Sequence, residues 1–194
     1  MTSLINASTS GAGGVIVTSD ASGSLDIQSG GTTKLSITSG GVSYVGGTLQ
    51  VVNTQTGALA TGSTQLPWDD TTPQSGEGDQ YMTLAITPKS STSKLFIQVQ
   101  AFISPSAKDW VTIALFQDST AGALAAQGIY SNEVNGSMPL LLSHYMTSGT
   151  TSSTTFKVRI GSATPVTLSF NGASSARKMG GVMSSFITIT EIAQ

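Results

Sequence analysis

The 194-residue chain has no cysteine and a single histidine, His144. Disulfides, thiolate metal sites and cysteine nucleophiles are thereby excluded, and zinc has no histidine pair to bind. Small secreted domains often depend on disulfides, so their absence favours assembly in a reducing cytosol. Charge is nearly as scarce. Eight Lys and Arg against ten Asp and Glu give −2, with only 9% of residues charged, against about 25% in an ordinary soluble domain. Eight dispersed cations cannot build the basic stripe with which a nucleic-acid binder displaces counterions, so no nucleic-acid partner is expected. A surface this poor in charge has little to oppose association, which predicts that much of it meets other protein. Long apolar runs are missing too. The longest, such as Met138 to Leu142, falls far short of the roughly 18 residues of a membrane span. The first ten residues have neither a basic nor an apolar region, so neither a signal peptide nor a membrane partner is expected.

Small residues take the place of charge. Thirty Ser, 27 Thr and 22 Gly fill 79 positions, a β-protein's composition, while 38% hydrophobic residues leave a core to bury. Composition breaks near residue 60: both Trp, all six Phe and all six Pro lie beyond it. Before it come short alternating runs, Val15-Ile16-Val17, Leu25-Asp26-Ile27, Leu35-Ser36-Ile37, Val42-Ser43-Tyr44-Val45 and Leu49-Gln50-Val51. Glycine groups punctuate them, and Ser29-Gly30-Gly31 recurs ten residues later as Ser39-Gly40-Gly41, which reads as hairpin strands joined by glycine turns. Ribbons this thin are marginal alone. Residues 1–57 are therefore expected to form an extended attachment arm and short β-shaft.

Residues 58–194 read as one antiparallel β-domain. Strands are expected over 58–66, 81–87, 94–103, 110–117, 123–130, 138–146, 154–160, 165–171 and 184–192, with no helical periodicity, which implies a sandwich or barrel. Leu95, Ile97, Val99 and Ala101 alternate with Gln98 and Gln100, and Phe156, Val158 and Ile160 with Lys157 and Arg159, so these strands have a buried and a wet face. Leu140-Leu141-Leu142, Phe186-Ile187-Thr188-Ile189 and Phe96-Ile97 are apolar on both faces. A sandwich strand of that kind lies beneath a cover or in a subunit interface. Leu141, Tyr145, Phe186, Thr188 and Ile189 are the interface candidates.

Chemistry-bearing residues are few. Asp69, Asp70, Glu77 and Asp79 form the one carboxylate cluster, a weak candidate for a cation site that matches no EF-hand spacing and is better read as a solvated loop. His144 has neither a nucleophile nor an orienting carboxylate beside it and reads as a packed core or interface residue. Trp110 heads a strand and reads as a lid on the core, although it is also of a kind that stacks on sugars. Trp68, between Pro67 and Asp69 on an expected loop, is a candidate surface contact, as is the adjacent pair Arg177-Lys178 on a glycine-rich turn. Gly11-Ala12-Gly13-Gly14 and Gly30-Gly31 lack the following Lys-Ser/Thr of a nucleotide loop. No catalytic triad and no cofactor site is expected, and the chain is not read as an enzyme.

Several stretches carry a resemblance: Leu66-Pro67-Trp68-Asp69-Asp70, Glu77-Gly78-Asp79-Gln80-Tyr81-Met82, Val111-Thr112-Ile113-Ala114-Leu115-Phe116-Gln117-Asp118, His144-Tyr145-Met146, Thr154-Thr155-Phe156-Lys157-Val158-Arg159 and Ile187-Thr188-Ile189-Thr190-Glu191-Ile192. They resemble the knobs of bacteriophage fibre and virion structural proteins, and Ser24 to Ile37 looks like a repetitive tail-fibre shaft unit. The resemblance implies a jelly-roll knob like that of tumour-necrosis-factor and complement heads, assembled as a homotrimer. It further implies a virion component assembled in the host cytoplasm, attached to capsid or tail through residues 1–57. A tail fibre that binds host surface glycan and a capsid decoration protein that stabilises the shell are the alternative roles.

Overall fold

Alternating apolar residues between glycine, proline and serine turns dictate strands, and the chain is all-β. The computed structural model describes residues 25–38, 41–44 and 46–194. The runs Val15-Ile16-Val17 and Gly11 to Gly14 and the turn residues Ser39-Gly40 lie outside the described residues, as does the first part of the expected arm. Contacts divide the chain into two units, Met1–Val42 and Ser43–Gln194.

In the first unit β1 (Leu25–Ser29) and β2 (Thr32–Thr38) pair antiparallel. Gly30 and Gly31 turn the chain between them at φ of 60° and 75°, a region glycine enters at no steric cost. Leu25 faces Ile37 and Ile27 faces Leu35, and β3 (Gly41–Tyr44) follows β2 in a three-stranded sheet. Leu25, Ile27, Ile37 and Val42 stay exposed. A ribbon of three short strands has no second layer of its own to bury such residues.

The second unit is a sandwich of two antiparallel sheets. Its strands are β4 (Thr48–Thr56), β5 (Ala60–Gly62), β6 (Asp79–Ile86), β7 (Lys94–Pro105), β8 (Asp109–Gln117), β9 (Ala125–Ser131), β10 (Met138–Thr147), β11 (Thr154–Ser162), β12 (Leu168–Phe170), β13 (Gly172–Ala173), β14 (Ala176–Arg177) and β15 (Ser185–Ile192). One sheet runs β4, β15, β7, β10, with the short β12 and β5 continuing it along the far end of β7. The other runs β6, β11, β8, β9. Of the eight long strands, the first, eighth, third and sixth thus form one sheet and the second, seventh, fourth and fifth the other. That order is the double Greek key of a jelly roll. Val99, Ile97, Leu95, Leu140, Leu142, Ile187 and Ile189 of the first sheet meet Val111, Ile113, Leu115, Phe156, Val158 and Ile160 of the second in one buried core.

Two expectations change. The composition break placed the boundary after residue 57, whereas contacts place it between Val42 and Ser43, and β4 pairs with β15 from Thr48 to Thr56. Strand β4 looks like shaft because it is mostly Thr, Gln and Asn; its place in the sandwich comes from backbone hydrogen bonds and from Val52 alone packing on the core. Ile189, expected at a subunit interface, is fully buried in the core of its own chain. Side chains alternate along a strand, so Thr188 and Ile189 cannot share a face.

The closing strand is held by two buried polar residues. Glu191 is fully buried, and its carboxylate accepts from Gln50 Nε2 (2.6 Å), Lys89 N (2.8 Å), Ser93 Oγ (2.6 Å) and Ser90 N (3.3 Å). Asn171, also fully buried and in the left-handed region at φ 54°, donates through Nδ2 to the carbonyls of Thr56 and Ala58 and accepts from Ser185 Oγ. Glu191→Ala is expected to strand the Lys89 and Ser90 amides, since Ser93 Oγ and Gln50 Nε2 keep Ser90 O and Thr87 O as acceptors, and to cost about 3 kcal/mol, while Glu191→Gln, which keeps an acceptor, costs less; thermal denaturation measures both. Removing residues 1–42 is expected to leave the melting temperature of the sandwich nearly unchanged, whereas removing residues 1–57 also takes β4 from β15 and lowers it sharply.

Candidate functional site

Strict alternation turns one set of side chains of the β4–β15–β7–β10 sheet away from the core. Register places them in rows: Gln55, Phe186, Gln100 and Leu141; Asn53, Thr188, Gln98 and Ser143; Val51, Thr190, Phe96 and Tyr145. None of these twelve is charged. Leu141 (55% exposed), Tyr145 (53%) and Val51 (57%) stand open to solvent, and Phe186 and Phe96 are half-buried. Gln98, Gln100, Leu141, Ser143 and Phe186 line a shallow depression of about 300 Å³ in this face. Phe96 and Tyr145 lean together with ring centres 6.3 Å apart. The structure therefore brings Leu141, Tyr145, Phe186 and Thr188 together on one surface and removes Ile189 from it. Gln98, Gln100 and Val51 join that surface only through strand pairing, which sequence periodicity does not report.

On the other sheet, Trp68 and Trp110 stack with ring centres 4.0 Å apart and planes 4° from parallel, and Tyr130 meets Trp110 edge-on at 5.6 Å. Trp110 and Tyr130 are cross-strand partners on β8 and β9. Trp68 reaches them from the 63–78 loop, pinned by the fully buried Leu66, which packs on Ala114 and Phe116 and donates its N–H to Ser162 O at 3.0 Å. Gly128 makes room: a Cβ there would overlap the Trp68 ring. Trp110 is thus half-buried beneath Trp68, on the sheet's outer side rather than over the core.

The four clustered carboxylates are spent locally. Asp69 Oδ1 accepts from Thr71 Oγ1 (2.6 Å) and Thr71 N (2.9 Å), and these bonds, the hydroxyl's first, hold its carboxyl below the usual range. Glu77 accepts from Gln74 N at 2.8 Å, and Asp79 takes Thr64 N (2.9 Å) and Thr64 Oγ1 (2.8 Å). No three metal-ligating side chains converge among the described residues. Near Asp79, burial first and that carboxylate's charge second push the phenol of Tyr81 up. Arg177 and Lys178 are exposed at the end of the β13–β14 hairpin. His144 lies opposite Ile97 on β10, and burial lowers its imidazole below the ordinary value.

No family model matches the chain, and no curated protein matches it. Among solved structures, latent PorU of Porphyromonas gingivalis aligns at 12% identity and a TM-score of 0.38, over 78% of this chain and 14% of that one. Infectious bursal disease virus, Gt strain, aligns at 11% and 0.38 over 87% and 43%, and the enzymatically active domain of bacteriophage CBA120 tailspike protein 4 at 13% and 0.27 over 62% and 18%. The chain thus spans less than half the length of each of these three. Similarities this low carry no argument about fold or activity; the jelly roll rests on strand order.

Gly128→Ala is expected to unseat Trp68, shift tryptophan emission to the red and cost about 0.5–1.5 kcal/mol, the worth of an aromatic pair. A histidine whose folded pKa is depressed binds fewer protons folded than unfolded, so stability falls as pH drops through about 6.5. The melting temperature is expected to decline between about pH 7 and 5, a slope His144→Gln removes, whereas the loss from Asp69 comes only below the usual Asp value of about 3.9.

Proposed function

We propose that the chain is a non-enzymatic structural component of a phage virion: a short homotrimeric fibre, joined to capsid or tail through its N-terminal arm, that exposes the jelly-roll unit as a knob. The observation that carries this reading is the outward face of the β4–β15–β7–β10 sheet. Twelve adjacent uncharged positions, with Leu141, Tyr145 and Val51 more than half exposed, form a flat surface that a second copy meets without like-charge repulsion. Four strands about 4.8 Å apart over the roughly six residues that three outward positions span give roughly 400 Å² of flat area. That is about half of the roughly 800 Å² each partner contributes to a stable interface. The exposed apolar residues of β1 and β2 support a shaft role, since neighbouring copies would supply the cover that the ribbon lacks. Tail-fibre and decoration roles use the same assembly and differ in what the arm joins.

Native mass by light scattering tests the reading. Wild type is expected at three times 19.7 kDa, and Leu141→Lys or Phe186→Lys at one, with melting temperatures close to wild type measured on the dissociated subunit. Ile189→Lys behaves differently, losing the fold itself by burying an unpaired charge at a cost of about 3–5 kcal/mol. A monomeric wild type overturns the trimer.

A further inference from the structure

We propose that Trp68, Trp110 and Tyr130 form a stacking platform for a neutral pyranose ring, with the outward face of Trp68 as the contact surface. This goes beyond the assembly role and uses a surface on the opposite sheet. Trp68 is stacked in parallel on Trp110, with its benzo edge over Gly128, yet 49% of it remains exposed. One ring face is covered, so the exposed area is the other face. Tyr130 adds a second open aromatic, 46% exposed, at the edge of the pair.

The platform is set before any ligand arrives. Pro67 fixes the backbone entering Trp68, Leu66 anchors the loop in the fold, and Trp110 is braced by Tyr130 across the β8–β9 ladder. A rigid aromatic surface loses little entropy on binding. The negative face of an indole attracts the electropositive C–H bonds on the apolar face of a sugar ring. Hydroxyls at the ring's rim need polar partners, and Asp69, next in the chain to Trp68, supplies one. Its Oδ1 is engaged by Thr71, while Oδ2 has no partner among the described residues.

Charge selects the ligand class. Asp69, Asp70 and Glu133 lie within three residues of the three aromatics along the chain, against Lys108 alone, while Asp109 is buried and its carboxylate accepts from Thr164. That balance disfavours a nucleotide's phosphates and a sugar bearing a carboxylate. A cation cage needs aromatic faces that converge on one point. The tryptophan planes are instead 4° from parallel and offer one flat face.

Both tryptophans of the chain belong to the platform, so intrinsic fluorescence and the two indole N–H resonances report on this site. The full-length protein is titrated with methyl α-D-glucoside, methyl α-D-mannoside, methyl β-D-galactoside and the N-acetylglucosamine tetramer. A saturable change with at least one of them is expected, weakened about tenfold or more in Trp68→Ala. Asp69→Asn, which leaves the ring stack in place, is expected to weaken it less. The dispersed Trp110 indole resonance in Trp68→Ala establishes that the variant is folded. No saturable change up to about 100 mM of any of these sugars, an undiminished response in folded Trp68→Ala, or a response to choline and to no sugar each overturns the proposal. Native mass is unchanged in Trp68→Ala, so failure here and failure of the trimer are read separately.

Discussion

The sandwich depends on its last strand being inserted between its first and its third. Strand β15 pairs with β4 along one edge and β7 along the other, so the β4–β15–β7–β10 sheet is incomplete until residues 185–192 arrive. Glu191 gives that closure its specificity. A buried carboxylate without a cation is tolerable only where several donors converge on it, and Gln50, Lys89, Ser90 and Ser93 converge only when β4, the turn after β6 and β15 are all in place. Asn171 fastens the opposite end of β15, with Ser185 donating to its carbonyl oxygen. Register is thus fixed at both ends of the strand, and a slip by one residue would turn Ile187 and Ile189 outward and Phe186 and Thr188 inward.

That fixed register is what makes the outer face a surface of definite chemistry. The inward parity of β7 is aliphatic from Leu95 to Ile103, and that of β15 and β10 is apolar apart from Ser185, Glu191 and His144, while the outward parity mixes amides, hydroxyls and large apolar side chains. The facing sheet solves its outward side differently. The 63–78 loop folds over it, Leu66 covers Ala114 and Phe116, and Arg159 donates from Nε and Nη2 to the carbonyls of Glu77 and Gly78 at 2.7 Å each. One outward face is therefore roofed by its own chain, and the other is left open, with twelve adjacent uncharged positions bordered by Lys94. Trp68 lies on the roof, which is why its ring rests on Trp110 rather than in the core.

Most strand positions were legible because the core repeats with period two: β7, β8, β10, β11 and β15 fall within two residues of the expected limits, and the apolar-on-both-faces signal at Leu140 to Leu142 and at Phe186 to Ile189 marked strands with an exposed apolar side. Strand β4 was not legible as part of the sandwich. Thr48 to Thr56 carries few core residues, and its membership is set by pairing with Ser185 to Ile192, far away in sequence. The aromatic platform was half legible. Trp68 and Trp110 were each noticeable by type, but their stack depends on a loop path, Tyr130 on the register of β8 with β9, and Gly128 on the absence of a side chain beneath a ring. The acidic cluster, read from sequence as a solvated loop with a cation site as the weak alternative, was legible no further than that, because nearness in sequence does not aim Asp69, Glu77 and Asp79 at one point; each is turned toward a different backbone N–H.

Under the proposed assembly, a jelly roll with an uncharged outward face on one sheet and an aromatic stack on the other would divide two kinds of contact between its two layers. Self-association through the β4–β15–β7–β10 face would leave the β8–β9 side of every subunit pointing away from the shared surface, so each platform stays open in the assembly. A single exposed indole face supports only weak binding. Several such faces held in one rigid body act at a high effective concentration toward a surface that repeats the same sugar, so the multiplicity of the assembly, rather than any deep pocket, would set the strength of attachment.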